Sequence, residues 1–303
     1  MRGKADIKLG YTCNNNCVHC VISDQRDRAR TLRGSVDRGT NEFVRELEDA
    51  RRLDVRDIVF TGGEPTIRKD LPVLLGVARE MGFRLHVQTN ARMLAYRPLA
   101  EELAAFDATW VVALHGPEAD VHDRVTRVSG SFEQTVQGVR HMRELGQRVV
   151  GKVVLSQFNA AFQKETIGRL VELGVPYVNV AFPHALGSAR ELFDEVVPRY
   201  ADVVPHAHAA LDRYADEAVV YYEAIPLCFM QGYEKHVAEY ACLALKQPAV
   251  HKQLDMDTRD WKEARKEQKA KFPQCKRCKY DAVCEGPWKE YPERFGSEEF
   301  IPV

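Results

Sequence analysis

Between residue 5 and about residue 185, short β-rich runs alternate with segments of helical apolar spacing. No other feature of the sequence constrains the fold as tightly. The runs are Asp6 to Gly10, Asp57 to Phe60, Arg84 to Gln88, Thr109 to Leu114, Val149 to Leu155 and Tyr177 to Phe182. Helical spacing over Glu42 to Arg52, Leu71 to Met81 and Phe132 to Leu145 precedes the second, third and fifth of them. Strands joined through helices lie parallel, so the pattern predicts an α/β fold. Six βα units are too few to close the usual eight-fold barrel, which leaves a partial barrel or an open doubly wound sheet. After residue 185 the alternation stops. A helix-like stretch, Phe193 to Glu217, is followed by the apolar run Ala218 to Tyr222 and the Lys-rich segment Asp260 to Lys271, and from about residue 220 the chain reads as a smaller, irregular appendage.

Composition excludes several functions. With 303 residues, 45% of them apolar, and 43 Lys plus Arg against 44 Asp plus Glu, the chain is globular and nearly neutral. Nothing in that balance advertises a nucleic-acid or membrane partner. No apolar run approaches a membrane span, and Met1 to Lys8 is too polar for a signal-peptide core, so a cytoplasmic location is expected. In a reducing compartment the eight cysteines are better suited to metal binding or catalysis than to disulfides. Cys13, Cys17 and Cys20 crowd one end, Cys275, Cys278 and Cys284 the other, and Cys228 and Cys242 lie between.

Cys13, Cys17 and Cys20 place three soft ligands in one loop after the first run, a density that suits zinc or an iron–sulfur cluster. A closed zinc site needs four ligands. His19 is the only nearby candidate, and between Val18 and Cys20 it is expected to point away from the thiolates. Three cysteines on a [4Fe–4S] cluster leave one iron open, the usual mark of a metal that does chemistry. Thr61-Gly62-Gly63-Glu64-Pro65 follows the second run, Gln88-Thr89-Asn90-Ala91 the third and Ala113-Leu114-His115-Gly116 the fourth; each sits at a strand's carboxyl end, where α/β folds place active sites.

The C-x3-C-x2-C spacing and these following segments resemble the radical S-adenosylmethionine superfamily. The resemblance implies a partial (βα)6 TIM-like barrel over residues 1–215, with a small irregular auxiliary-cluster extension over 216–303. It implies that Cys13, Cys17 and Cys20 bind a [4Fe–4S] cluster and that Gly62, Gly63 and Glu64 hold the methionine amino group of S-adenosylmethionine. Thr89, Asn90 and His115 would meet other parts of that cofactor, and Arg127, preferred to Arg124, its carboxylate. Ala113 stands where the family has a serine, so that hydroxyl contact is lost. One electron from the cluster would cleave the cofactor to a 5′-deoxyadenosyl radical that abstracts a hydrogen atom.

The C-x2-C-x5-C array Cys275, Cys278, Cys284 could alone be a zinc-ribbon fragment. Beside the N-terminal triplet it resembles the SPASM and twitch extensions, which bind auxiliary [4Fe–4S] clusters. Cationic Lys276, Arg277 and Lys279 favour thiolates there. Pro226 fixes a turn that could aim Cys228 at the site as a fourth ligand, whereas Cys242, in an apolar helical stretch, is expected in the core, with the exchange of these two roles as the alternative. Tyr280, Trp288 and Tyr291 either pack or line a substrate cleft, and packing is the expectation. Twelve residues before Cys13 and nineteen after Cys284 lead to the expectation of no fused leader-peptide or cobalamin domain. The expected activity is oxidation of a peptide side chain or small polar metabolite, with flavodoxin or ferredoxin as electron donor and a separate leader-peptide-binding protein as a further partner. An epimerase using the Cys242 thiol as hydrogen donor is one alternative. A non-catalytic iron–sulfur electron carrier is the other, and the Gly62-Gly63-Glu64 turn counts against it.

Overall fold

The computed structural model describes residues 3–244, 251–253 and 261–303; Met1, Arg2 and Asp260 lie outside that set. In chain order the elements are β1 (Gly3–Lys8), α1 (Ser23–Arg33), α2 (Thr40–Arg52), β2 (Val55–Thr61), α3 (Leu71–Glu80), β3 (Arg84–Thr89), α4 (Arg97–Ala104), β4 (Thr109–Ala113), α5 (Ala119–Thr126) and α6 (Ser131–Glu144). They continue with β5 (Arg148–Val154), α7 (Gln163–Glu172), β6 (Tyr177–Ala181), the one-turn helices α8 (Ser188–Glu191) and α9 (Phe193–Val196), α10 (Tyr200–Tyr214), β7 (Val219–Glu223), α11 (Ala238–Ala244), β8 (His251–Gln253), α12 (Trp261–Glu267) and α13 (Glu290–Phe295).

The strands form one parallel sheet in the order β7-β6-β5-β4-β3-β2-β1-β8. From β1 to β7 spatial order follows chain order without the reversal that a doubly wound sheet requires. The sheet therefore curls into a half-barrel, and the partial-barrel expectation holds. Each of the six runs read from the sequence overlaps a strand. Two further strands come from beyond residue 215, so a division of the chain at 215/216 falls inside the sheet, with β7 paired to β6 through Tyr177↔Val219 and Ala181↔Glu223.

Side chains alternate along each strand. One set is buried under the helices, as with Ile58 and Phe60 on β2, Val87 on β3 and Trp110 and Val112 on β4, all 0% exposed. Burying such side chains stabilises the fold by roughly 1.5–3 kcal/mol each. Several alternate positions are polar and half-buried, as with His86, Lys152, Asn179 and Glu223, while on β2 the alternate position Val59 is itself buried. The C-terminal segment packs back onto the barrel, where Tyr291 accepts a hydrogen bond from the Tyr200 backbone N–H at 3.1 Å and Tyr200 stacks on Phe182 at 4.1 Å. Tyr280, Trp288 and Tyr291 are all buried. The helix-like stretch from Phe193 is broken at 197–199, ahead of α10, around Pro198, which cannot donate a helical hydrogen bond.

Cys242 departs from expectation. It is exposed, with Leu243 beside it, while Ala241 is buried. On a helix as short as α11 the inward side falls on Ala241, below the buried Val237 that precedes the helix, and the next two positions rotate away from it. Among the described residues no helix is long and apolar enough to cross a membrane.

Candidate functional site

The cysteine loop leaves β1 at Lys8 and lies directly on the turn that follows β2. Gly63 N–H donates to Gly10 O at 2.8 Å and Glu64 N–H to Thr12 O at 2.9 Å. This backbone contact is what requires glycine. A Cβ on Gly63 would stand 2.0 Å from Thr12 O, and one on Gly62, whose φ is +114°, 2.4 Å from Gly10 O. The two glycines thus let the loops after β1 and β2 approach each other. Asp37 fastens the same loop by accepting from Tyr11 N–H and Thr12 N–H, both at 3.1 Å. Downstream, Asn16 N–H donates to Thr126 O at 3.0 Å and Val18 N–H to Val125 O at 2.9 Å, tying the loop to the end of α5.

Glu64 is 3% exposed. Its Oε1 accepts from Thr66 N–H at 3.0 Å and from the Thr66 and Thr89 hydroxyls at 2.6 Å, and its Oε2 accepts from Asn90 N–H at 2.7 Å. Burial pushes the carboxyl above its usual range, against the pull of these donors. Glu64 thereby joins the turn after β2 to the loop after β3. The Asn90 side chain donates to Asn14 Oδ1 at 2.6 Å and accepts from Arg92 N–H at 3.0 Å. Arg92 bonds the Asn14 carbonyl and also donates to Asn15 Oδ1 at 2.8 Å. Asn14, Asn15, Asp37 and Arg92 were not singled out from the sequence, since asparagine, aspartate and arginine in loops carry no spacing signal.

The structure brings the three N-terminal thiols together. Burial pushes Cys13 up to about 11 and Cys17 up to about 12, and Cys20 is raised as well; each of Cys13 and Cys17 also feels neighbouring thiols. Thiols held this way favour the protonated form until a metal takes the proton's place. His19 does not point away. Its ligand nitrogen, the Cys17 Sγ and a His115 nitrogen lie within 4.8 Å of one another. His19 meets His115 edge-on at 4.6 Å, and His115 stacks on His122 at 5.8 Å. His115 Nδ1 accepts from Val154 N–H at 3.2 Å, which leaves its proton on Nε2. Burial pushes His19 and His122 down to about 4 and His115 well below its ordinary range, so all three rings are neutral near pH 7.

Arg127 stands exposed at the end of α5 in a left-handed conformation, φ 57°. The turn around it is ordered by Asp123, which accepts from Gly130 N–H and the Ser131 hydroxyl at 2.7 Å and from Phe132 N–H at 2.8 Å. Arg124 lies over the Phe158 ring at 4.3 Å.

The second cysteine set converges as well. Cys228, on the turn after β7, lines one pocket with Cys275, Cys278 and Cys284, walled by Phe272 and Phe300; Cys242 is not among the lining residues. Burial and then the other three thiols push Cys228 up to about 12. Cys284 Sγ accepts from Leu227 N–H at 3.4 Å.

A model of the Radical SAM superfamily matches residues 7–160 of this chain, just over half of it. The chain is similar to Fe-coproporphyrin III synthase of Methanosarcina barkeri, 28% identical over 179 residues that cover 59% of this chain and 43% of that protein. It is similar to PqqA peptide cyclase of Rhodopseudomonas palustris, 27% identical over 236 residues that cover 75% and 61%. The chain thus spans less than two thirds of the length of either relative. In fold it is similar to anSMEcpe, solved with AdoMet and the Cp18Cys peptide, at a TM-score of 0.65 and 13% identity over 99% of this chain and 92% of that one.

Proposed function

The chain belongs to the radical SAM superfamily, whose chemistry implies S-adenosylmethionine and a [4Fe–4S] cluster, and from that premise we propose that it oxidises a peptide side chain or small polar metabolite with the help of an auxiliary [4Fe–4S] cluster. The observation that carries the finer reading is the single pocket lined by Cys228, Cys275, Cys278 and Cys284. Four thiols are a complete ligand set for such a cluster. A peptide substrate is supported by the similarity to PqqA peptide cyclase, and a small-molecule substrate by the similarity to Fe-coproporphyrin III synthase.

When bound, the cluster and S-adenosylmethionine supply a 5′-deoxyadenosyl radical that abstracts hydrogen from the substrate. The protein's part is to hold and to orient. Cys13, Cys17 and Cys20 would hold the cluster on a loop braced by Asp37, Gly62 and Gly63. The turn at Gly62, Gly63 and Glu64 would take the methionine amino group. Thr89, Asn90, His115 and Arg127 would meet the ribose and carboxylate. Neutral His115, its proton on Nε2, can donate one hydrogen bond without placing a second positive charge beside a sulfonium. Residues 216–303 would serve as the auxiliary-cluster extension, joined to the barrel sheet through β7 and β8, with flavodoxin or ferredoxin as electron donor and a separate protein presenting a leader peptide, in the cytoplasm.

Anaerobic reconstitution tests the reading. About eight irons per chain are expected, about four in a Cys13, Cys17, Cys20 triple alanine variant that no longer cleaves S-adenosylmethionine, and about four in a Cys275, Cys278 double alanine variant that still does. Zinc in a colourless protein would sink the proposal. Cys242→Ala is expected to leave both clusters and product intact; product lost with both clusters retained would favour epimerisation.

A further inference from the structure

Lys269 is out of place on physical grounds. It is 8% exposed, and its Nζ has no hydrogen-bond partner among the described residues. A buried ammonium without a counter-ion is costly, and proteins keep few of them. The acids around it are engaged elsewhere: Glu223 with Lys152 at 2.7 Å, and Glu285 with Arg265 at 2.8 Å, an arginine that also holds Glu239. What Lys269 does have is an indole, for its Nζ lies 3.6 Å from the centre of the Trp288 ring. The two residues face each other across an antiparallel bridge. Trp288 Nε1 is also buried without an acceptor among the described residues. His184 stacks on the same indole at 3.9 Å, and its Nε2 stands 3.4 Å from Glu290 Oε2 without hydrogen-bond geometry.

The position of this group gives it meaning. His184 follows β6 at the carboxyl end of the sheet, and four residues on, Ser188 N–H donates to Cys20 O at 3.0 Å. The Lys269 ammonium feels Cys284 and Glu223, the last residue of β7. Lys269 and Trp288 thus lie between the two cysteine sets, at the mouth of the half-barrel. Lys269 and Trp288, facing each other across the bridge, each keep a buried donor without an acceptor among the described residues, an arrangement that an acceptor from a ligand would complete.

We propose that Lys269 and Trp288 form the subsite that grips a carboxylate of the substrate, with the Lys269 ammonium as counter-ion and the Trp288 indole N–H as second donor. The substrate class is therefore carboxylate-bearing: a peptide with an acidic side chain at or next to the reacting residue, or an acidic metabolite. Burial and then Arg265 push the Lys269 ammonium down to about 7 against the pull of Glu285, Cys284 and Glu223, and an arriving carboxylate restores its charge. The long, flexible lysine stem lets the cation swing from the indole face to meet a ligand.

The inference rests on the proposed function in one respect, that the barrel mouth receives a substrate. Its test is binding to the anaerobically reconstituted full chain, followed by calorimetry, with N-acetylglutamate N-methylamide and N-acetylglutamine N-methylamide, which differ by one carboxylate. The wild-type protein is expected to prefer the glutamate probe by about tenfold or more, the weight of a charge-assisted hydrogen bond. Lys269→Met is expected to erase the preference and Lys269→Arg to retain most of it. Equal binding of both probes, or of neither, by the wild-type protein would overturn the proposal, and that comparison stands even if Lys269→Met fails to fold. Iron content and substrate-free cleavage of S-adenosylmethionine are followed in the same samples. Their loss counts against the proposed function, not against the subsite.

Discussion

Glu64 shows how one side chain serves the scaffold and the proposed chemistry together. Four donors converge on its two oxygens from two loops. Glu64→Gln replaces one oxygen by a donor, so an N–H must face Asn90 N–H or the Thr66 and Thr89 donors. A loss of about 1–3 kcal/mol of stability is expected by chemical denaturation, together with an S-adenosylmethionine affinity about ten- to a hundredfold lower if the carboxylate also holds the methionine ammonium. Lost stability with unchanged affinity would confine Glu64 to the scaffold. The carboxylate was legible in the sequence because it stands in register with two glycines after a strand. Its donors were not, since Thr89 and Asn90 lie 25 and 26 residues away and only the sheet brings them near. Asp37 and Arg92 were hidden for the same reason, their bonds to the cysteine loop spanning 26 and 77 residues.

Loops after neighbouring strands meet at the carboxyl edge, and the contact between the loops after β1 and β2 sets what each can carry. In Gly63→Ala the new methyl would collide with the Thr12 carbonyl at 2.0 Å. The β1–β2 pairing of Ile7↔Phe60 and Lys8↔Thr61 lies below the collision, so the cysteine loop must lift while the sheet persists. The expected outcome is a reconstituted protein short of about four irons with near-native far-ultraviolet circular dichroism. Full iron content would show that the loop tolerates the displacement. The six strands were legible because short β-rich runs alternate with helix-patterned segments along the chain. β8 was not: His251, Lys252 and Gln253 form three polar residues with no periodicity, and only their pairing with Lys4, Ala5 and Asp6 makes them a strand. Cys242 misled because the apolar stretch around it suggested a buried helix face, yet α11 ends within two turns and turns that side outward.

Buried histidines make the stability of the whole molecule sensitive to acid. His122 is 0% exposed, and burial first of all holds it neutral down to about 4, against an ordinary value of 6.5. Between those two values the unfolded chain binds a proton that the folded one refuses, so the stabilisation is complete above pH 6.5 and lost as pH falls toward 4. His122 alone accounts for about 3 kcal/mol of that loss. His19 and His115 act in the same direction. Thermal unfolding is expected to drop steeply between pH 6.5 and 4.5 and less so in His122→Asn, whose amide oxygen can still accept from His115 N–H; an unaltered slope would assign the acid sensitivity elsewhere. The strand order has a consequence of another kind, for the order of events as the chain is made. From β1 through β7 each new strand pairs with the one synthesised just before it, so the half-barrel can grow from the N-terminal end by short steps. The outer edge of β1 is the exception, for its partner is β8, more than two hundred residues later. Throughout synthesis that edge offers unpaired backbone groups to any neighbouring chain, a template for aggregation that only the last part of the protein removes.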